Sequence, residues 1–151
     1  MDETNVRSPL FDRLVDSNRY EHEARPLRTL DRAGLKLSVR RELELLFNTR
    51  SSTPAHRLTS DRTVIDYGIP ELGTFSPRNS DDRDRLADVL RRAAVAYEPR
   101  LSDIRVRVVP IEGDAMQLAA RIEAMLLVDG VREPVSFEAG MDLREGKVVL
   151  S

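Results

Sequence analysis

Apolar residues along this chain recur at helical spacing as far as Tyr97 and alternate from Ile104 onward, so helices precede strands. Leu10, Phe11, Leu14 and Val15 make a stripe over two turns behind Ser8-Pro9, a capping hydroxyl followed by proline at the first helical position. So short a helix is marginal by itself and has to dock, on its own domain or on another subunit. Residues 18–26 are charged and weakly periodic and predict a linker, which makes residues 1–26 an arm and residues 27–151 the domain. From about Leu35 to Phe47, Val39, Leu43, Leu46 and Phe47 share one face and Arg40, Arg41, Glu42 and Glu44 supply the wet one, with Asn48 as the stop. Residues 49–63, rich in Ser, Thr, Pro and Arg, predict a loop. The short apolar run from Val64 to Pro70, broken by glycine and proline, predicts an irregular connector that pins this loop to the core.

A third helix starts after Asn79-Ser80, with Asp81, Asp82 and Asp84 in the first turn, where the macrodipole favours anions. Its buried stripe is Leu86, Leu90, Ala93 and Tyr97. Ile104, Val106 and Val108 then alternate with Arg105 and Arg107, the pattern of a strand with one wet face. Leu118, Ala120, Ile122, Ala124 and Leu126 predict a longer second strand, residues 134–143 a third, and Arg144-Glu145-Gly146 a turn into Lys147-Val148-Val149-Leu150. Helices followed by strands joined through short turns predict an α+β single domain with a small, mostly antiparallel sheet. Such a sheet leaves edges. Arg105 and Arg107 are charges of the kind that blunt unwanted pairing, yet an unpaired edge is also a template for a partner's strand.

Where the period changes stands Tyr97-Glu98-Pro99-Arg100. A residue before proline is pushed out of the helical region, so the helix ends at or near Glu98. A carboxylate there faces the negative end of the macrodipole, which costs roughly 0.3–1 kcal/mol unless a cation compensates. Arg100 is two residues on, on the same side of an extended segment, so the two form one unit, paired to itself or held out to a partner.

Composition narrows the classes. A chain of 151 residues buries about 70% of its unfolded surface and folds without staples. The absence of cysteine removes disulfide scaffolds, thiolate metal sites and thiol nucleophiles, and suits a reducing cytoplasm. No apolar run approaches the roughly 18 residues of a membrane span, so direct membrane insertion is not expected. A net charge of −2 from 24 basic and 26 acidic residues gives no electrostatic case for nucleic acid. Lys36 and Lys147 are the only lysines, and the remaining cations are arginines, whose planar fork suits ion pairs at interfaces or in interiors.

Catalytic chemistry finds little support. His22 lies in the arm and His56 in the Ser/Thr loop, neither in an apolar setting that would position a base. No nucleophile elbow or phosphate-binding glycine loop occurs, and Glu21-His22-Glu23 is too short and flexible for a metal site. Two carboxylates suffice for glycoside cleavage, but 26 acids guarantee some pair at the right distance, and sugar-stacking aromatics are scarce, with no Trp. Neither a cofactor nor a metal is expected.

Residues 38–50 (SVRRELELLFNTR), 64–72 (VIDYGIPEL) and 97–101 (YEPRL) resemble, in order and spacing, the phage baseplate wedge family historically named for a gene 25 lysozyme. Residues 8–14 (SPLFDRL) resemble its type VI secretion branch, the TssE subunits. The resemblance implies a non-enzymatic structural subunit of a bacterial, cytoplasmic baseplate near the inner membrane, in one or few copies per wedge of a six-fold ring. It also implies contacts with other wedge subunits and a small handshake-like domain to which contractile sheath proteins add strands. Carried over, Glu98, Pro99 and Arg100 form a charged contact to the wedge core, and Asn48 and Arg50 join the partner-binding set. Locally, Asn48-Thr49-Arg50 reads equally as a helix stop, and Glu98 with Arg100 as an internal pair. A peptidoglycan-cleaving enzyme and a regulatory anti-adaptor on the same fold are the alternatives.

Overall fold

A computed structural model describes residues 6–7, 29–52, 63–128 and 130–151 of the chain. The predicted helix behind Ser8-Pro9, the linker, both histidines and most of the Ser/Thr loop lie outside the described residues. Strand β1 (Val6–Arg7) pairs antiparallel with β2 (Thr29–Leu30).

Helix α1 (Arg32–Asn48) begins earlier than its apolar pattern because the Asp31 carboxylate accepts a bond from the Gly34 N–H at 2.7 Å and caps the first turn. Its buried face is Leu35, Ser38, Val39, Leu43, Leu46 and Phe47. Helix α2 (Ser80–Tyr97) starts as predicted, Asn79 Oδ1 accepting from the Asp81 N–H at 2.9 Å, with Asp81 and Asp82 in the first turn. It buries Leu86, Val89, Leu90, Ala93 and Ala94.

Four antiparallel strands follow in spatial order β3 (Leu101–Pro110), β4 (Gln117–Val128), β5 (Val131–Asp142) and β6 (Lys147–Leu150). The chain is α+β: among the described residues two helices cover one sheet face, α1 packing on β6 and α2 on β3. Leu118, Ile122, Leu126, Phe137, Met141, Val148 and Leu150 turn into that interface and are buried. The opposite face, carrying Arg105, Arg121, Glu123 and Glu138, is open. β5 starts three residues before its prediction, Val131 pairing directly with Val128; Val131, Arg132 and Glu133 carry no alternating apolar signal because Val131 is itself exposed. A bulge interrupts β3 between Ser102 and Arg105, with Asp103 in the left-handed region at φ 53°. No helix among the described residues is long and apolar enough to cross a membrane.

Two short 3₁₀ turns, Val64–Asp66 and Leu72–Thr74, make up the connector. Its anchor is Ile69, fully buried and bridged to Arg50: the Ile69 N–H donates to the Thr49 carbonyl at 3.0 Å and the Ser51 N–H to the Ile69 carbonyl at 2.9 Å. Val64 and Ile65 take no part in that anchoring and are 90% and 82% exposed. Gly68 makes the bridge possible, since at φ 110° a side chain is disfavoured and a Cβ would overlap the Thr49 carbonyl. Gly68→Ala is expected to lower the unfolding free energy by roughly 1–3 kcal/mol, read from urea denaturation; an unchanged midpoint would show that the bridge contributes nothing.

Candidate functional site

Glu98 terminates α2 with φ −119° and ψ 81°, its N–H still bonded to the Ala94 carbonyl at 2.9 Å. It is 2% exposed, one of the few polar residues in the core. A buried carboxylate at the negative end of a helix requires strong compensation. Arg100 provides it as a two-pronged pair, Nε to Oε1 at 2.7 Å and Nη2 to Oε2 at 2.6 Å, while its own N–H reaches Oε1 at 3.2 Å. A third prong runs from Nη1 to Ser38 Oγ on α1 at 2.9 Å. The Arg100 carbonyl then accepts from the Leu127 N–H at 2.9 Å, tying the corner to β4. Of the two readings open in the sequence, the geometry is that of an internal pair, with Pro99 exposed at its tip and the Arg100 side chain 21% exposed. The partner absent from the sequence reading is Ser38; its signal was a hydroxyl on the apolar face of α1, beside Leu35 and Val39.

Beside the corner, Tyr97 packs edge-on to Tyr67, ring centroids 5.0 Å apart, and its hydroxyl donates to the Thr63 carbonyl at 2.7 Å. Burial, then the carboxylates of Glu42 and Glu98, push the Tyr67 phenol above its usual range, so it stays neutral. These two tyrosines hold the Val64–Asp66 turn against the end of α2.

Asn48 and Arg50 make the corresponding connection at the end of α1. Asn48 Nδ2 donates to the Val148 carbonyl at 2.7 Å and to the Glu44 carbonyl at 2.8 Å, and Oδ1 accepts from the Val148 N–H at 2.9 Å. Its amide therefore completes the ladder of β6 as a backbone peptide would. Arg50 Nη1 donates to the Phe47 carbonyl at 2.8 Å, Nη2 to the Gly146 carbonyl in the β5–β6 turn, and Nε lies 3.7 Å from Glu71. In the same turn the Glu145 and Arg144 N–H groups bond Asp142 Oδ1, holding that carboxyl below the usual carboxylate range. The five residues singled out from the sequence thus fall in two places. Glu98, Pro99 and Arg100 lead into β3, one edge strand, while Asn48 and Arg50 grip β6 and its turn at the other.

The two edges differ. Bonding in an antiparallel pair alternates, so residues between bonded positions turn their N–H and C=O groups outward. The Ile111 N–H donates to the Gln117 carbonyl at 3.2 Å, which carries bonded positions to Val109, Arg107 and Arg105 and turns Val106 and Val108 to the outside of β3. Pro110, without an N–H, ends that row. Across the sheet, Ser151 and Glu138 exchange bonds at 2.8 and 3.2 Å, so Val148 and Leu150 face outward from β6. Asn48 occupies both groups of Val148, whereas among the described residues nothing covers Val106 or Val108.

A family model described as baseplate wedge protein gp25 matches residues 33–131. No curated protein matches the chain. Among solved structures, the chain is similar to one described as the baseplate complex from the type VI secretion system, at 22% identity over 70% of this chain and 93% of that one, with a TM-score of 0.50. It is also similar to a candidate tail lysozyme from Geobacter sulfurreducens, at 18% identity over 69% of this chain and 88% of that one, with a TM-score of 0.49.

Glu98→Gln removes the charge opposite Arg100 and is expected to cost roughly 2–4 kcal/mol, toward the low side for a buried pair because Arg100 keeps 21% of its side chain in water. Asn48→Ala, which strips both partners from Val148, is expected to cost about 1–3 kcal/mol. Denaturation midpoints with unchanged slopes check both values; wild-type stability in either variant would show that its contact is incidental.

Proposed function

Because the chain belongs to the family of the baseplate wedge protein gp25, matched over residues 33–131, we propose that it is a non-catalytic subunit of a type VI secretion baseplate wedge. In this role it docks on other wedge subunits in the bacterial cytoplasm and starts assembly of the contractile sheath, whose strands add to its sheet. The observation that carries this reading is the asymmetric sheet: one edge is closed by a side chain of the fold itself, and the other presents backbone groups that are unpaired among the described residues. Further support comes from the charged and amide groups of the matched motifs, which hold the frame together through Arg100, Asn48 and Arg50.

Glu98, Pro99 and Arg100 are proposed as the contact to the wedge core. Pro99 and the 21% exposed Arg100 side chain form a tip whose geometry Glu98 has already set, so docking loses little side-chain freedom. Asn48 and Arg50 are proposed to serve partners through the hairpin they fix. One strand and one charged tip make a modest interface, and repetition around a six-fold ring raises the effective concentration of each contact.

Purified Arg100→Ala protein, assayed below its own melting temperature so that it is still folded, is expected to lose capture of wedge subunits by tenfold or more, about 1.4 kcal/mol, and cells carrying it to form no sheath. Undiminished capture by the folded variant would remove the corner from the interface. Hydrolysis of purified cell wall by the intact protein, abolished by replacing one carboxylate, would overturn the non-catalytic reading.

A further inference from the structure

We infer that the strand added by a partner lies along β3, and that it is an acidic strand whose carboxylates meet Arg105 and Arg107. This deepens the proposed strand addition and rests on it. Three edges are candidates. β6 is closed at Val148 by the Asn48 amide. On β5, Glu138, Gly140 and Asp142 bond toward β6, so Pro134 faces that same side and brings no N–H to it. On that side of β5 Pro134 separates Arg132 from Ser136, whereas β3 turns two successive complete residues outward, Val106 and Val108, with the Pro110 carbonyl beyond them.

The charges beside that edge select the occupant. Arg105 and Arg107, two residues apart on one strand, share the open face. Arg107 has Arg121 directly opposite on β4, a like-charge pair that destabilises an isolated sheet. Arg121 is satisfied from the far side, its Nε 2.7 Å from Glu138 Oε1 on β5, and that bond holds its guanidinium firmly protonated. Arg107 has no carboxylate of its own among the described residues. A shallow trough of about 620 Å³ runs over Arg105, Arg107, Val109 and Arg121.

A strand laid about 4.8 Å outside β3 repeats its side chains at the same spacing on the same face. Acidic residues at alternate positions then stand opposite Arg105 and Arg107. The intervening residues continue the buried face beside Ile104, Val106 and Val108, and an apolar side chain suits them. A phosphate backbone fits less well, because Glu123 and Glu138 stand on the same open face and would repel a continuous polyanion. The occupant is therefore an acidic polypeptide.

The test uses the full chain and three synthetic peptides of about ten residues: alternating Val and Glu, the same with Lys for Glu, and the Glu peptide with a central proline. Affinity is read by fluorescence anisotropy and location by amide exchange at single residues. The Glu peptide should bind, weaken as salt rises, and slow exchange at the Val106 and Val108 amides, while the proline peptide fails. Reversing both cations, R105E with R107E, should weaken the Glu peptide by about tenfold or more and admit the Lys peptide. A separate reading guards against a merely misfolded variant: Arg107→Glu sets a carboxylate opposite Arg121, so its melting temperature should equal or exceed that of the wild type.

Equal binding of the Glu and Lys peptides would overturn the acidic occupant and leave strand addition standing. Protection at Leu150 in place of Val106 and Val108 would overturn the choice of β3. Binding of no peptide would overturn the inference together with the strand addition beneath it. A destabilised Arg107→Glu variant would show that Arg107 serves the fold and not a partner.

Discussion

The bidentate pair between Glu98 and Arg100 is the contact on which the arrangement of this domain depends. A helix that ends in a buried carboxylate is unstable by both desolvation and dipole, and one guanidinium two residues later relieves both. The same guanidinium reaches Ser38, so relieving the charge also sets where α1 lies relative to α2 and β3. At the other end of α1, Asn48 bonds β6. Ser38 and Asn48 are ten residues apart, about 15 Å of helix, close to the roughly 14 Å spanned by the three gaps between four strands. One helix is thereby fastened near both edges of the sheet, and the sheet's other face is left bare.

That construction suits a part whose work is to be docked upon. Groups ordered before a partner arrives need no ordering on contact, so more of a small interface appears as affinity. An edge capped by the Asn48 amide discourages pairing at β6, and under the proposed strand addition the charged residues and Pro110 beside β3 would limit which strands pair there. In that proposal the like-charge juxtaposition of Arg107 and Arg121 works in the same direction, costing the isolated sheet some stability in exchange for selectivity.

Much of the fold was legible in the sequence because period and punctuation agreed. The stripe of α1, the Asn79 cap with Asp81 and Asp82, the alternation from Ile104 and the Arg144-Glu145-Gly146 turn all stand where expected. What escaped were element starts that lie outside the apolar pattern and contacts between positions distant in sequence. Asp31 caps α1 four residues before the first apolar position, so periodicity could not announce it. Val131 begins β5 on an exposed surface and lacks a burial signal. Of the site, the Glu98 and Arg100 unit was visible because proline forces a corner. Its third member, Ser38, lies 62 residues before Arg100. The grip of Asn48 on Val148 crosses 100 residues and looked locally like a helix stop. No short-range pattern encodes which edge of the sheet a side-chain amide will close.

Site-resolved hydrogen exchange, compared between the free chain and the chain within an assembled baseplate, tests the central claim that the docking frame is complete before its partners arrive. The account predicts that the amides of Arg100, Leu127 and Val148 are already strongly protected in the free chain and change little on assembly, with new protection concentrated at Val106 and Val108. Rapid exchange at Arg100, Leu127 and Val148 in the free chain, lost only on assembly, would contradict it, because the partners would then be building the corner and not meeting it.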